Sequence, residues 1–313
     1  MTKTAFTFPG QGSQAIGMGL ELAKAYPQAK AVFDEVDEAL HQNLSTLMFE
    51  GSEDELRLTE NAQPALLAVS MAVVRVLEAK GISVAKNASF VAGHSLGEYS
   101  ALCAAGTFTL SDTARLLKTR GQAMQQAVPV GEGAMAAILG LTLEDVLEVA
   151  KQAGQGGVCD VANDNAPGQV VISGNVNAIE RAIILAKAKG AKRALLLPVS
   201  APFHCSLMCS AAEKMEEVLA LVNMNNPVVP IISNVLAAPI SDANEIRRRL
   251  VEQVTGKVRW SESISWLTGE GEVTDLLELG AGKVLSGLAR RINRDAKAIS
   301  IGTFEQIEEF VSK

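Results

Sequence analysis

Short runs of β-type residues alternate with longer segments of helical periodicity along almost the whole chain, and this alternation constrains the fold more than any other feature. It is typical of a mostly parallel sheet whose strands are joined by crossover helices. The predicted strands of this sheet are residues 4–8, 89–92, 228–233, 273–278 and 298–301. The predicted helices include residues 65–80, 206–222, 243–254 and 283–292. The sequence therefore predicts an α/β fold.

Residues 129–197 show a different order of elements, β-α-β-β-α-β, which is typical of a ferredoxin-like unit. The predicted strands of this unit are residues 134–139, 158–162, 169–173 and 194–197, and its predicted helices are residues 143–153 and 178–189. Thr142 with Asp145, and Asn177 with Glu180, resemble capping boxes at the starts of the two helices. The turn chemistry thus agrees with the predicted order.

We therefore expect two domains that differ in size. Residues 1–128 and 198–313 would form a large α/β-hydrolase-like domain with a mostly parallel sheet, and residues 129–197 would form an inserted ferredoxin-like subdomain. A cleft between the two would be a natural substrate site.

Composition and charge exclude several classes of protein. The net charge of -7 and the pI near 5.2 give no global attraction for nucleic acid or for an anionic membrane. The apolar run 65–77 is shorter than the roughly 20 residues needed to cross a bilayer, so we expect a buried helix and no membrane insertion. The first residues lack the zones of a signal peptide, and we expect a cytoplasmic protein. The four cysteines match no metal spacing.

A serine is presented in the segment from Gly93 to Gly97, which matches Gly-x-Ser-x-Gly and follows the predicted strand that ends at residue 92. A sharp strand-to-helix turn of this kind exposes the serine hydroxyl as a nucleophile, here that of Ser95. The turn leaves no room for a Cβ on either side, which explains the two glycines. The free N–H of Leu96 would face the negative charge that develops on an attacked carbonyl.

A serine hydroxyl needs a base near neutral pH, and the chain has three histidines. His41 lies in a polar stretch and is interpreted as a surface residue. His94 adjoins Ser95 in the turn, where its side chain should point away from the hydroxyl. His204, in a loop just after the predicted subdomain, is left as the candidate base. No motif marks an acid as the third member of a triad, so a carbonyl could orient the imidazole instead.

At this point the chain resembles a known family, the malonyl-CoA:acyl carrier protein transacylases of fatty acid synthesis, and the resemblance covers its whole length. The motifs that carry it are Phe8-Pro-Gly-Gln-Gly-Ser-Gln14, Gly93-His-Ser-Leu-Gly-Glu-Tyr99, Arg120-Gly with Met124 and Gln125, Asn163-Asp-Asn-Ala-Pro-Gly-Gln169, Pro202-Phe-His204, and Gln253 near Trp260. Six separated motifs in order are far more specific than one serine turn.

The resemblance implies a role for each matching catalytic residue. Ser95 would be the nucleophile, and His204 would be the general base and then the general acid. The backbone carbonyl of Gln253 would orient His204, which fills the missing third place. The backbone N–H groups of Leu96 and Gln11 would form the oxyanion hole.

The resemblance also implies a substrate site. Arg120 lies in a predicted helix, where an arginine is by default a solvated surface charge, but in the family this arginine binds the carboxylate of the malonyl group. A guanidinium suits that task because it forms two parallel charge-assisted bonds and stays charged. Phe203 is the residue type that accompanies malonyl rather than methylmalonyl substrates. Asn163, Met124 and Gln11 would belong to the same site.

The implied chemistry is a ping-pong transfer from malonyl-CoA to acyl carrier protein through a malonyl-serine ester, with no metal or redox cofactor and with a monomeric enzyme. Acyl carrier proteins are acidic, so their docking surface should be basic. The candidate clusters are Lys187, Lys189, Lys192 and Arg193 on the small subdomain, and Arg290, Arg291 and Arg294 near the C-terminus. Scattered solvated charge is an equally good interpretation of each cluster taken alone.

Three alternatives use the same residues differently. A serine thioesterase would use the same serine turn with water as the acceptor. A malonyl transferase could serve the carrier of a malonate decarboxylase or of a polyketide synthase. A carrier-binding module with an inactive site would need neither Ser95 nor His204. An arginine at position 120 favours a transferase of malonyl groups, because a hydrolase of neutral esters has no use for a cation there.

Overall fold

The computed structural model describes residues 3–312, which form two β-sheets with helices packed against them. The strands are β1 Thr4–Phe8, β2 Phe90–Gly93, β3 Gly133–Leu139, β4 Cys159–Ala166, β5 Gln169–Asn175, β6 Arg193–Leu196, β7 Ile231–Ile232, β8 Pro239–Ile240, β9 Asp275–Leu279 and β10 Lys297–Ile301. The helices are α1 Leu20–Ala25, α2 Pro27–Leu40, α3 Leu44–Glu50, α4 Glu53–Arg57, α5 Thr59–Ala79, α6 Val84–Asn87, α7 Leu96–Ala104, α8 Leu110–Gln126, α9 Leu143–Ala153, α10 Val176–Ala188, α11 Cys209–Leu221, α12 Ala243–Thr255, α13 Trp260–Thr268, α14 Val284–Ile292 and α15 Phe304–Val311.

The larger sheet has the strand order β10-β9-β1-β2-β7-β8, and all neighbouring strands in it are parallel except β7 and β8. The predicted α/β fold with a mostly parallel sheet is therefore confirmed. β7 has only two residues, whereas the sequence predicts a strand over 228–233. The strand is short because Pro230 has no N–H for a ladder and because the N–H of Val228 donates to the carbonyl of Ala105.

The central strand β1 separates two hydrophobic cores, since successive side chains of a strand point to opposite faces. Phe6 and Phe8 pack into the core that also contains residues of α5, α7 and α8. Ala5 packs into the core on the other face, with residues of α13 and α14. Phe8 pairs with Gly93 of β2, so the carboxyl ends of these two strands meet at one edge of the sheet.

Helix α5 runs through the larger core. It begins at Thr59, six residues before the predicted start, and its 21 residues are long and apolar enough to cross a membrane by length and composition alone. However, 83% of its apolar window is buried inside the protein. The helix is thus a core element of this fold, in agreement with the predicted buried helix.

The smaller sheet is antiparallel throughout and has the order β4-β5-β3-β6, with α9 and α10 covering one face around a core of its own. Counted along the unit, the spatial order is second, third, first and fourth strand, so the predicted ferredoxin-like arrangement is confirmed. All of its strands and helices lie within residues 129–197. The domain boundaries at 128, 129, 197 and 198 stay a prediction.

One edge of the smaller sheet is attached to the larger domain through backbone hydrogen bonds. The N–H of Asp164 in β4 donates to the carbonyl of Val258 at 2.9 Å, and the N–H of Val258 donates to Ala162 at 2.8 Å. The residues of β4 are thereby placed beside the carboxyl end of β2. Strand β6 forms the opposite edge of the small sheet.

Candidate active site

Ser95 lies in the sharp turn between β2 and α7, as the sequence predicts. Its φ of 55° and ψ of -113° are a rare and strained combination for a residue with a side chain. The two flanking glycines are required by packing, since a Cβ on Gly93 would lie 1.9 Å from the backbone of Gly97, and one on Gly97 would lie 2.3 Å from the carbonyl oxygen of Phe8. Helix α7 starts directly after the serine, so its dipole points toward the Ser95 side chain.

His204 approaches Ser95 from the segment between β6 and α11. Its Nε2 lies 2.7 Å from the Ser95 Oγ, and its Nδ1 lies 2.8 Å from the carbonyl oxygen of Gln253. Because a carbonyl can only accept, Nδ1 carries the proton and Nε2 is left as the acceptor for the serine hydroxyl. Burial, and then the positive charge of Arg120, lower the pKa of His204 to about 3. The imidazole is therefore neutral near pH 7, and the lone pair of its Nε2 is available to the serine hydroxyl.

The other two histidines do not contact the serine hydroxyl. His41 is exposed at the end of α2. His94 is partly buried, its Nε2 lies 2.8 Å from the Oδ1 of Asn165 in β4, and its ring packs against Trp260. The prediction that His94 points away from Ser95 agrees with this arrangement, and the histidine links the serine turn to the small subdomain.

Three neighbouring strands of the large sheet supply residues at the same edge. Gln11 follows β1, Ser95 follows β2 and Asn234 follows β7. Asn234 was not found by sequence reasoning, yet its Oδ1 accepts from the Ser95 N–H at 2.8 Å and its Nδ2 donates to the Gly93 carbonyl at 2.7 Å. The polar position directly after a predicted strand was the available signal, because ligand sites gather at the carboxyl ends of parallel strands.

The backbone donors that the resemblance implies for an oxyanion hole are free. Within residues 3–312, neither the N–H of Leu96 nor the N–H of Gln11 donates to a protein acceptor. The side chain of Gln11 is held in place, since its Oε1 accepts from the hydroxyl of Thr59 at 2.9 Å. Two unpaired N–H groups beside a nucleophile can donate hydrogen bonds to the carbonyl oxygen of the substrate and stabilise the negative charge that it gains.

Arg120 is buried and does not behave as the solvated charge that its helical position suggests by default. From α8 its Nη2 donates to the Ser95 Oγ at 3.2 Å and to the Gln253 Oε1 at 2.8 Å, and its Nη1 donates to the Gln63 Oε1 at 2.8 Å. The buried Nε has no acceptor in the described part of the chain. A guanidinium that has an unused donor and lies against the nucleophile can take a carboxylate. Met124 contacts this arrangement through its sulfur, 3.8 Å from the Gln63 Nε2.

A second buried group under the serine turn is Glu98, which sequence reasoning did not assign to the site. Its Oε2 accepts from the Gln253 Nε2 at 2.6 Å, and its Oε1 accepts from the backbone N–H of Asn234 at 3.3 Å. Burial raises the pKa of Glu98, while these donors and the charge of Arg120 act in the opposite direction. Both carboxyl oxygens accept from N–H groups, as the oxygens of a carboxylate do. The carboxyl group thus lies one side chain away from the guanidinium.

A cleft of about 510 Å³ opens between the two sheets above Ser95 and His204. Among the residues predicted to bind substrate, Gln11, Asn163 and Phe203 line it, while Arg120 and Met124 are buried and are not among its lining residues. The cleft is lined by Gln11, Gly12, Gln14, Glu53, Arg57, His94, Ser95, Met135, Asn163, Asn165, Val171, Leu197, Pro198, Val199, Phe203 and His204. Among the described residues, no group of three or more His, Cys, Asp or Glu side chains is arranged to hold a metal ion.

The predicted basic clusters differ in how their side chains are engaged. Lys192 and Arg193 are exposed at the start of β6, the strand that leads to the cleft-lining Leu197, and have no ion pair or side-chain hydrogen bond in residues 3–312. Arg290 donates to a backbone carbonyl of β10 at 2.8 Å, and Arg291 donates to Gln169 at 2.5 Å. The first pair is therefore free to meet a partner, and the second pair already has partners within the chain.

Comparison with known proteins agrees with this geometry. Residues 5–267 match the acyl transferase domain. Over 309 residues the chain is 50% identical to the malonyl CoA-acyl carrier protein transacylase of Bacillus subtilis, which covers 98% of this chain and 96% of that protein. The crystal structure of an acyl-carrier-protein-S-malonyltransferase from Bartonella henselae has a TM-score of 0.97 at 58% identity, with 99% of both chains covered. A malonyl-transacylase solved in complex with its type II PKS acyl-carrier protein has a TM-score of 0.96 at 43% identity, again with 99% of both chains covered. The chain belongs to the acyl transferase family and, within it, to the malonyl CoA-acyl carrier protein transacylases.

Proposed function

We propose that this protein transfers the malonyl group from malonyl-CoA to the phosphopantetheine thiol of acyl carrier protein through an ester on Ser95, and that it supplies fatty acid synthesis. One observation carries the chemistry: the Ser95 Oγ lies 2.7 Å from the Nε2 of His204 and 3.2 Å from the Nη2 of Arg120. A nucleophile, a neutral base and a fixed positive charge thus meet at a single atom. Membership of the transacylase family supports malonyl-CoA as the donor and acyl carrier protein as the acceptor.

In the first half of the reaction, Nε2 of His204 takes the hydroxyl proton while the Ser95 Oγ attacks the thioester carbonyl. The carbonyl oxygen gains negative charge and is stabilised by the N–H groups of Leu96 and Gln11. When the intermediate collapses, the carbon–sulfur bond breaks, and the protonated His204 gives its proton to the departing thiolate of coenzyme A. The malonyl group is left as an ester on Ser95.

In the second half, the thiol of the carrier enters the same cleft and gives its proton to the Nε2 of His204. Its sulfur attacks the malonyl ester, and the same backbone donors stabilise the oxygen. The carbon–oxygen bond then breaks, and His204 returns the proton to the Ser95 Oγ. The carbonyl of Gln253 stabilises the positive imidazolium during both halves, because it accepts the hydrogen bond from Nδ1.

The acyl group is selected by charge and by space. The Nε and Nη2 of Arg120 would hold the free carboxylate of the malonyl group, which an acetyl group lacks. Phe203 lines the cleft beside His204 and would limit the room for a methyl branch. Asn163 of β4 also lines the cleft with its amide side chain.

For the carrier, the free pair Lys192 and Arg193 is the better docking surface. The pair lies at the start of β6, whose Leu195 and Leu196 are about half exposed, and Leu197 lines the cleft directly after it. An acidic carrier with an apolar patch that docked here would hold its thiol-bearing arm at the cleft mouth. Arg290 and Arg291 would contribute less, because both side chains already have acceptors.

The reaction uses side chains and backbone groups of this chain alone, so we propose that it needs no metal or redox cofactor and that a monomer is sufficient. A cytoplasmic location fits the four free cysteines, three of which are buried, because thiols persist in a reducing compartment.

Intact mass spectrometry after brief mixing with malonyl-CoA tests the proposal. The wild-type mass should increase by one malonyl group, Ser95→Ala should show no increase, and later addition of phosphopantetheinylated carrier should remove the group and transfer it to the carrier. A mass increase that persists in Ser95→Ala would refute the assigned nucleophile. Loss of the malonyl group to water at the same rate with and without the carrier would instead indicate a thioesterase.

The identity of the carrier defines a second candidate function. One structural relative is a malonyl-transacylase bound to a type II PKS acyl-carrier protein, so transfer to a polyketide carrier has a specific precedent in this fold. Transfer rates measured with a fatty acid carrier and with a polyketide carrier at equal concentration would rank the two. A malonate decarboxylase carrier is a third acceptor that the same assay can include.

A further inference from the structure

The side-chain amide of Gln253 connects Glu98 to Arg120. Its Nε2 donates to the Glu98 Oε2 at 2.6 Å and to the backbone carbonyl of Ser95 at 3.0 Å, while its Oε1 accepts from the Arg120 Nη2 at 2.8 Å. All of these atoms are buried or partly buried. The amide is thus placed between one group that can only donate and two oxygens that accept.

The orientation of this amide matters because an amide is polar at both ends. A guanidinium has only donors, so it can pair with the Gln253 oxygen but not with its NH2 group. If the amide were turned over, two donors would face each other at Arg120. The carboxyl group of Glu98 opposes this reversal, since its Oε2 needs the NH2 group of Gln253.

We propose that Glu98 is a positioning residue that sets the direction of the Gln253 amide and thereby holds the Arg120 guanidinium beside Ser95 for the malonyl carboxylate. This inference rests on the proposed function, because it concerns the binding of a carboxylate by Arg120. Glu98 itself touches neither His204 nor the cleft, and it acts through Gln253. Its second contact, the backbone N–H of Asn234, anchors the carboxyl group to the segment that also holds the serine turn.

Glu98→Gln is the decisive substitution, because it keeps the shape of the side chain and replaces one acceptor with a donor. An amide at position 98 must direct an N–H at either the backbone of Asn234 or the NH2 group of Gln253. The backbone N–H cannot turn, so Gln253 must turn or shift, and Arg120 then loses one of its acceptors. General damage to the fold, by contrast, would affect every acyl substrate.

The measurement is the rate of Ser95 acylation by malonyl-CoA and by acetyl-CoA, followed by intact mass spectrometry and expressed as a ratio of kcat/KM values. We expect the malonyl-to-acetyl ratio of Glu98→Gln to fall about tenfold, the size of effect expected when a hydrogen bond to a charged group is lost. Arg120→Ala provides the reference for complete loss of the clamp. In the double variant Glu98→Gln/Arg120→Ala the ratio should equal that of Arg120→Ala, because a residue that acts through Arg120 has no effect without it.

If Glu98→Gln does not fold, Gln253→Met tests the same connection. Methionine has a similar length, removes the amide and leaves the backbone carbonyl that orients His204, so the ratio should again fall about tenfold.

An unchanged ratio in the folded variant, or an equal loss of malonyl and acetyl acylation, would overturn the inference while leaving the transferase function intact. A further fall of the ratio in the double variant below that of Arg120→Ala would also overturn it. Absence of any malonyl ester on wild-type Ser95 would refute the proposed function, and the role of Glu98 with it.

Discussion

Replacement of Arg120 by alanine should convert a malonyl-selective site into one that scarcely distinguishes malonyl from acetyl groups. In the free protein the guanidinium already faces the Ser95 Oγ, and its Nε is a buried donor that has no acceptor among residues 3–312. A bound malonyl carboxylate would use that Nε together with Nη2. An acetyl group has no carboxylate and gains nothing from either donor.

The size of the effect follows from these two bonds. Hydrogen bonds to charged groups contribute about 1.5–3 kcal/mol each, and a total of about 3 kcal/mol corresponds to a factor of about 100 in kcat/KM. We therefore expect Arg120→Ala to lower kcat/KM for malonyl-CoA about 100-fold and to change kcat/KM for acetyl-CoA much less. The variant should also be less stable, because Gln63 and Gln253 lose a buried partner.

Arg115 provides a matched control on the same helix. Its side chain is 55% exposed and, within the described residues, pairs only with Asp112, so Arg115→Ala should leave both rates and the stability near wild-type values. The rates come from intact mass spectrometry of the acylated serine, and the stability comes from urea unfolding. A malonyl-to-acetyl ratio that stays at the wild-type value in Arg120→Ala would refute the role of this arginine as the malonyl clamp.

Three further predictions concern the rest of the site. Asn234→Ala should lower the free energy of unfolding by about 2 kcal/mol or more and slow Ser95 acylation, because the serine turn loses two buried hydrogen bonds; unaltered urea unfolding would contradict this. Burial and Arg120 lower the pKa of His204 from 6.5 to about 3, so kcat/KM for acylation should stay nearly constant as the pH is lowered through 6.5. A fall to half its value near pH 6.5 would contradict this prediction, because it would show an imidazole with an ordinary pKa. The same shift means that the stability contributed by neutral His204 is present above pH 6.5 and is lost as the pH falls below it, because only the unfolded chain then takes up the proton. Lys192→Glu should raise KM for the carrier and leave the rate of self-malonylation unchanged. Lys86→Glu, a charge reversal at another exposed site, should leave KM for the carrier unchanged, and equal effects of the two variants on this KM would exclude docking at β6.

Elements with strong local signals could be predicted from the sequence. Helix α9 spans Leu143–Ala153 as predicted, because the Thr142 hydroxyl accepts from the N–H of Asp145 and defines the start. The corresponding prediction at Asn177 is wrong. Helix α10 begins at Val176, and the carboxamide of Asn175 accepts from the N–H of Val158 instead of capping the helix. A side chain that can bond either to its own helix or to a neighbouring strand cannot be assigned from local sequence alone.

The site residues also differ in this respect: some have a signature in the local sequence, and others are determined by a contact with a distant part of the chain. Ser95 was found because its turn has a local signature, and His204 was found because few histidines compete with it. Gln63 was missed, and the predicted start of α5 was late, because polar residues in the first turns of that helix look like a loop in the sequence. Gln63 is buried and its Oε1 accepts from Arg120 on another helix, and the sequence does not show that pairing.

The side chains that accept from Arg120 are amides, and carboxylates in the same positions would impair substrate binding. A carboxylate in direct contact with the guanidinium would satisfy its charge and compete with the malonyl group for the same donors. Gln63 and Gln253 hold the guanidinium through neutral oxygens, so its positive charge stays available to the substrate. Glu98 lies one amide further away, where it can orient Gln253 without pairing with Arg120. Among the described residues no carboxylate contacts the guanidinium directly, and the carboxylate that would pair with it arrives with the substrate, so selectivity for malonyl groups comes from a positive charge that the empty site leaves without a counter-ion.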